Sequence, residues 1–451
     1  MRRSLILVVV SVAVVAAAAV ACRLARPLPP PTMVLLVLDT VRADHLSLCG
    51  YGRPTSPVLE ALAARAAVHC RTYAPGSWTL PSHASFFTGL EPVDHGAHAI
   101  TSGIDDWSGM GSRSRPLPDG IPTLAEAMAA RGYQPLAVSA SPVVSETMGL
   151  MRGFEASTVA RGWGDLYGSA VAAAVADLLT EQADDRPLFL FVNVADAHQP
   201  WAAVPAGVDW LPPRPPLHWN KAAPEGPWQR FVEGRMAEDE AAALIEHAVD
   251  SYDWAVYLAD RSMGEVLAVL EDKGLCEAGC RVVITSDHGE FLGEDRLLDH
   301  GHELGEANVR VPVLVWDSRP LAELPSFDES SMSALEVYDL VLEGRRPAQA
   351  RRASSMAWPH ARRCKHVDGL AFCSTSAALW EGDERLLWRD GVTSRGKVVG
   401  AEVKPAGGPF EEHPSAARLS QLAERVHRDT RDDHQVDQHV TELLEALGYL
   451  D

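Results

Sequence analysis

Asp39, Thr79, His83, His198, Asp287, His288 and His300 are the residues of this chain whose types and placement could do chemistry together. Thr79 begins the run Thr79-Leu80-Pro81-Ser82-His83, with Phe86, Phe87, Thr88 and Gly89 behind it. Threonine suits an N-cap, proline the first turn and glycine the stop, so the run predicts a helix that starts at a hydroxyl. The N–H groups and dipole at such an end favour a bound anion. Asp39, Asp196 with His198, and Asp287 with His288 each follow the last residue of an apolar, strand-like run. A strand-end Asp often only caps a turn, yet three such ends carrying Asp and His offer ligands for a divalent cation. Ca²⁺, Mg²⁺, Mn²⁺ and Zn²⁺ all fit that donor set. Bound beside Thr79, a cation lowers the hydroxyl pKa and neutralises charge on an anionic ester. Unaided, a threonine hydroxyl is a poor nucleophile.

The elements that must position these residues alternate. Apolar runs at 33–38, 134–139, 188–195, 281–286 and 311–316 predict strands, and helical patterns cover 56–67, 122–131, 168–182 and 237–272. The alternation predicts an α/β fold with a mixed, mostly parallel sheet covered by helices on both faces, whose strand ends form the ligand crevice. A long insertion at 199–228 carries Trp201, Trp210, Trp219 and Trp228. It predicts a core-anchored loop, or else a substrate wall beside the crevice or a membrane-facing lip. A helical stretch is expected at 321–352. The catalytic domain is placed at 33–345 and a small α+β C-terminal subdomain at 346–451.

A formal net charge of -21 excludes a nucleic-acid surface and requires any anionic substrate to be held locally. Arg2 and Arg3 precede an apolar run to Ala21, so 1–22 reads as an export signal with Cys22 in a lipoprotein-like processing box, or else as an uncleaved anchor. The proline-rich 23–32 reads as a tether, which predicts an exported chain held at a membrane. Setting Cys22 aside, the remaining cysteines fall into local pairs, Cys49 with Cys70, Cys276 with Cys280 and Cys364 with Cys373, as expected of an oxidising compartment. His95 and His98 are expected to be structural.

In order along the chain, Val34-Leu35-Leu36-Val37-Leu38-Asp39-Thr40, Gly50-Tyr51-Gly52, the Thr79 helix, Thr123-Leu124-Ala125 and Thr285-Ser286-Asp287-His288-Gly289-Glu290 resemble the sulfatase family of the alkaline phosphatase superfamily. The resemblance implies that family's fold, with a cation on Asp39, Asp287, His288 and Thr79, and Thr79 as the nucleophile. It implies His198, in Asp196-Ala197-His198-Gln199-Pro200, as the acid at the leaving oxygen. His300, in Asp299-His300-Gly301, falls at a position that binds substrate or a second metal, with His302 as its alternative.

The chain also departs from the family. Sulfatases usually carry Cys or Ser at the Thr79 position and oxidise it to formylglycine, whereas threonine's secondary alcohol would give a ketone. Thr40 stands where a second metal-binding Asp is common, His83 stands in place of an Arg and is carried as a further catalytic candidate, and Ser139-Ala140-Ser141-Pro142 lacks the family's Lys and His. These features are similar to phosphoethanolamine transferases and lipoteichoic acid synthases. The expected function is metal-dependent hydrolysis or transfer of a phosphoric or sulfuric ester, with a small anionic ester, including a lipid or glycan ester, as substrate. The alternative is a membrane-anchored binding protein that has lost turnover.

Overall fold

The computed structural model describes residues 30–100, 113–218, 225–277, 279–301, 303–319, 323–358, 366–367, 370–371, 375–389, 391–399, 402–406 and 409–429. The expected signal and tether up to residue 29, and Cys364, Cys373, His302 and Trp219, lie outside them.

The main sheet holds eight strands: β1 Thr32–Leu38, β2 Ala66–Tyr73, β3 Gln134–Ser139, β4 Ala156–Val159, β5 Leu188–Val194, β6 Cys280–Thr285, β7 Arg310–Asp317 and β8 Met332–Ser333. Their order across the sheet is β8-β2-β7-β6-β1-β5-β3-β4. Only β7 runs against its neighbours, as both of its pairings are antiparallel and the rest are parallel. β1 and β5 lie at the centre and are buried along their whole length, which is why both read as unbroken apolar runs.

Helices cover both faces. The labelled ones are α1 Pro57–Ala63, α2 Thr79–Thr88, α3 Leu124–Ala130, α4 Ser169–Gln182, α5 Glu238–Asp272 and α6 Glu336–Leu342. Leu35 and Val37 of β1 pack into one core with Phe86 and Phe87 of α2 and Leu340 of α6. Val34, Leu36 and Leu38 face the opposite core, with Val175 of α4 and Tyr252 and Val256 of α5. The period-two alternation of β1 therefore separates the two cores. A second, antiparallel sheet follows, in the order β9 Ala353–Ala357, β10 Ser376–Glu381, β11 Glu384–Arg389, β12 Val392–Val399 and β13 Glu402–Pro405. The helix α7 Ala416–Asp429 packs on β10 and β11.

Each strand expected from the sequence is present within a residue or so of its bounds, and β2, β4 and β8 are additions. The helix expected over 56–67 ends at Ala63. Its alanine-rich second half had masked β2, whose β-branched and aromatic Val68, Thr72 and Tyr73 pair with β7. The helical stretch expected over 321–352 shrinks to α6, with β8 ahead of it. Among the described residues two disulfides are formed, Cys49–Cys70 and Cys276–Cys280. In the insertion, Trp201 and Trp228 are buried in the core, and Trp210 packs against Trp254 and Tyr257 of α5. The anchoring role of these tryptophans therefore outweighs the wall. No helix among the described residues is long and apolar enough to cross a membrane.

Candidate metal centre and active site

Asp39 follows the last residue of β1, and Asp287 and His288 lie just past β6, its neighbour in the sheet. Parallel pairing puts both strand ends on one edge. Thr40, next to Asp39, takes φ 62, a left-handed conformation unusual for a branched residue. Bonds on both sides hold it there. Its N–H donates to Asp287 Oδ1 at 3.1 Å, and its carbonyl accepts from the Tyr252 hydroxyl at 2.6 Å. Gly289 makes room for this loop, since a Cβ there would lie 2.1 Å from the Ala307 carbonyl oxygen.

α2 brings the hydroxyl. Trp78, rather than Thr79, takes the N-cap position, and Thr79 is the first helical residue. Its Oγ1 does not cap the helix but lies 3.3 Å from His288 Nε2. Gly89 ends α2 in the left-handed conformation, with its N–H donating to the Ser85 carbonyl. The turn before α2 is tied to the far side of the site, where Gly301 N–H and Asn308 Nδ2 both donate to the Ser77 carbonyl, at 2.9 and 3.2 Å.

Asp39, Thr79, Asp287 and His288 thus converge, and all four are fully buried. His288 Nδ1 lies 2.9 Å from the Gly289 carbonyl. A carbonyl only accepts, so Nδ1 carries the hydrogen and Nε2 presents its lone pair inward. Nε2 lies 3.4 Å from Asp287 Oδ2 and 3.8 Å from Asp39 Oδ1. On each carboxylate the other oxygen is held. Asp39 Oδ2 accepts from Asn193 Nδ2 at 3.2 Å, and Asp287 Oδ1 accepts from the N–H groups of Thr40 and His288. Asp39 Oδ1 and Asp287 Oδ2, the oxygens facing His288, have no hydrogen-bond partner.

Burial, and then the Asp287 charge, push the Asp39 carboxyl well above the usual range; burial pushes Asp287 up to about 7 against the N–H groups that favour its charge. Two carboxylates and a neutral imidazole, all desolvated, need a positive charge between them. Donors around a tetrahedral cation with arms of about 2.1 Å lie about 3.4 Å apart, and the distances from His288 Nε2, 3.3, 3.4 and 3.8 Å, match that spacing. The residues present fit a divalent cation.

His83 is fully buried on α2, one turn beyond Thr79. Its Nδ1 lies 3.0 Å from the Thr79 carbonyl and 3.4 Å from Asp287 Oδ2, and Asn193 Nδ2 lies 3.5 Å from its Nε2. Burial lowers its pKa to about 3, so the ring is neutral. The same Asn193 amide that reaches His83 also holds Asp39. Asn193, the lone polar residue of the run Leu-Phe-Leu-Phe-Val-Asn-Val, was visible in the sequence as an exception in an apolar strand.

His198 and His300 line the opposite side. His198 Nδ1 donates to the Gln199 carbonyl at 2.6 Å, and Trp163 stacks on the ring at 3.5 Å between centroids. The His300 ring centroid is 4.5 Å from that of His288 and 5.1 Å from that of His198. Asp196 turns away and accepts from Gly168 N–H at the start of α4, as a strand-end cap. His95 is buried against Ser85, and His98 stacks on Trp358, away from these groups in their contacts. Nothing in the sequence pattern pointed to Trp163, because its partner in the stack is set by a distant loop.

Arylsulfatase A of Bos taurus is 35% identical to the chain over 104 residues, which take in 23% of this chain and 19% of that protein. Among solved structures, a protein in complex with its substrate D-glucosamine-2-N,6-O-disulfate is similar at a TM-score of 0.59 and 16% identity, over 89% of this chain and 98% of that one. The phosphonate monoester hydrolase of Agrobacterium radiobacter is similar at a TM-score of 0.58 and 17% identity, over 89% and 95%. At such identities these likenesses speak for the fold. Residues 31–341 match the Sulfatase family, and with most of the chain so matched it belongs to that family.

Proposed function

We propose that the chain is a metal-dependent enzyme that cleaves or transfers a phosphoric or sulfuric ester through Thr79 as nucleophile. The observation that carries this reading is the position of Thr79 Oγ1, aimed at His288 Nε2 among Asp39 and Asp287 instead of capping its own helix. A divalent cation on Asp39, Asp287, His288 and Thr79 supplies a lowered hydroxyl pKa and neutralises charge on the transferring group. The chain does the rest. Thr79 gives up its hydroxyl proton to solvent and its Oγ bonds to phosphorus or sulfur, with the first-turn N–H groups of α2 near the equatorial oxygens. The bond to the leaving alcohol breaks with its electron pair, and Nε2 of His198 or His300 gives that oxygen a proton. Water or a second alcohol then attacks the same centre, giving its proton to the imidazole that donated one, and the bond to Thr79 Oγ breaks with its electron pair on oxygen.

Phosphorus is the favoured centre. A hydrated formylglycine can expel sulfate by collapsing to the aldehyde, whereas an ester of Thr79 must be opened by attack on the central atom itself. The test is a side-by-side assay of aryl phosphate mono- and diesters and an aryl sulfate, with metal content measured on the same sample. Thr79→Ala is expected to lose at least about 10³-fold in turnover while still binding substrate, and Thr79→Ser to retain part of it. Equal turnover in wild type and Thr79→Ala would overturn the nucleophile, and ligand binding without any turnover would favour the binding-protein alternative. The same reading keeps the chain exported and membrane-held through 1–32. Recovery of the full chain in the soluble fraction of its host would count against that.

A further inference from the structure

Glu290, Asp299 and His300 form a second buried cluster, at 0%, 1% and 2% exposure. Glu290 sits in the loop that carries Asp287 and His288. Asp299 ends the short strand Leu298–Asp299, which pairs with Phe291–Leu292. His300 Nδ1 lies 3.1 Å from Glu290 Oε2 and 3.3 Å from Asp299 Oδ1. Asp299 is held at φ 78, a left-handed conformation unfavourable for a non-glycine residue.

In three of the site's four imidazoles, His83, His198 and His288, the Nδ1 is anchored on a backbone carbonyl, of Thr79, Gln199 and Gly289. In His300 two carboxylates take the place of that carbonyl. Carboxylates only accept, so His300 Nδ1 carries a hydrogen and the ring works through Nε2. A carbonyl would have fixed the ring equally well. Two acidic side chains set the ring's orientation at Nδ1, as a carboxylate orienting a histidine does elsewhere.

We propose that Glu290 and Asp299 are positioning residues that clamp His300 Nδ1–H between them and so aim Nε2 at the leaving oxygen. This rests on the reading of the site as an ester-cleaving centre. In the step itself the ring starts with hydrogen on both nitrogens; as Thr79 Oγ bonds to phosphorus or sulfur, the bond to the leaving oxygen breaks, that oxygen keeps the electron pair and takes the Nε2 proton, and the ring retains Nδ1–H against the two carboxylates.

Two measurements on the metal-loaded full chain test the clamp. The first is ¹⁵N-histidine NMR, which reports the His300 tautomer whether or not the protein turns over. Wild type is expected to show hydrogen on Nδ1, and Glu290→Gln and Asp299→Asn to shift toward a mixture. The second compares a phenyl ester with its 4-nitrophenyl analogue, in whichever ester class wild type cleaves. The poor leaving group needs the proton and the good one does not, so each variant is expected to lose about 10- to 100-fold in kcat on the phenyl ester and less than about 3-fold on the nitrophenyl ester, with Tm and metal content unchanged. Equal losses on both esters, or a wild-type His300 with no hydrogen on Nδ1, would overturn the clamp. So would the loss of one bound metal ion in Asp299→Asn, which would make the cluster a second cation site. A wild type inactive on every ester, yet with the Nδ1–H tautomer, would sink the proposed function and leave the clamp standing as the ring's orientation.

Discussion

Asn193 links two residues that the sequence keeps far apart. One amide nitrogen reaches both Asp39 Oδ2 and His83 Nε2, so the carboxylate is aimed by a strand and a helix at once. The orienting partner of a metal ligand typically contributes 10- to 100-fold to affinity. Asn193→Ala is therefore expected to weaken divalent-metal binding by about that factor while leaving Thr79 in place, as calorimetric titration of the metal-stripped chain would show; unchanged affinity would leave Asn193 a packing residue. Asp39, Thr79, Asp287 and His288 were legible because strand ends and a helix start are local features. Asn193, Trp163, Glu290 and Asp299 were not singled out, because their roles depend on what faces them across the crevice.

At the scale of elements, the long helix α5 anchors the short helix α1 through one carboxylate. Asp260 accepts from the N–H groups of Val58 and Leu59 at 2.7 and 3.0 Å, supplying the N-terminal cap that Ser56 does not. Burial nonetheless raises its pKa from 3.8 to about 6. Between those values the folded chain holds a proton that the unfolded chain has lost, so stability falls as pH rises through that window and is flat above it. Asp260→Asn has nothing to titrate there. Relative to the variant, wild type is expected to lose up to about 3 kcal/mol of unfolding free energy between about pH 4 and about pH 7. Denaturant titrations of both at each pH check this, and parallel pH profiles would refute it. The helices expected at 168–182 and 237–272 matched α4 and α5 because length and amphipathic pattern agreed, whereas β2 was hidden behind the alanines of α1.

At the scale of the whole molecule, the C-terminal sheet closes over the loop that follows His300. Trp380 of β10 donates to Glu306 Oε1 at 2.6 Å and stacks on Tyr73 of β2, and Arg389 of β11 pairs with Glu303. The small subdomain thus braces the site's own loop, which no pattern within 346–451 announced. The Cys49–Cys70 disulfide joins the segment after β1 to β2 across 21 residues. Closing a loop of that length removes unfolded-state freedom corresponding to about 3 kcal/mol. Replacing both cysteines by serine is expected to lower stability by about that amount, read by denaturant unfolding, and no loss would mean that the unfolded chain is already compact there.

The sequence by itself determined the layered α/β plan, the strand ends that bear ligands and the hydroxyl at the head of α2, since each follows from short-range periodicity and turn chemistry. Tertiary structure alone decided which oxygen of each aspartate is held and which faces His288, that His83 is buried neutral behind Asn193, and that His300 is gripped by Glu290 and Asp299. Those are matters of a few tenths of an ångström between groups that are mostly more than a hundred residues apart, or, around His300, on facing parts of one folded loop, fixed by strand order and by loops that close over them.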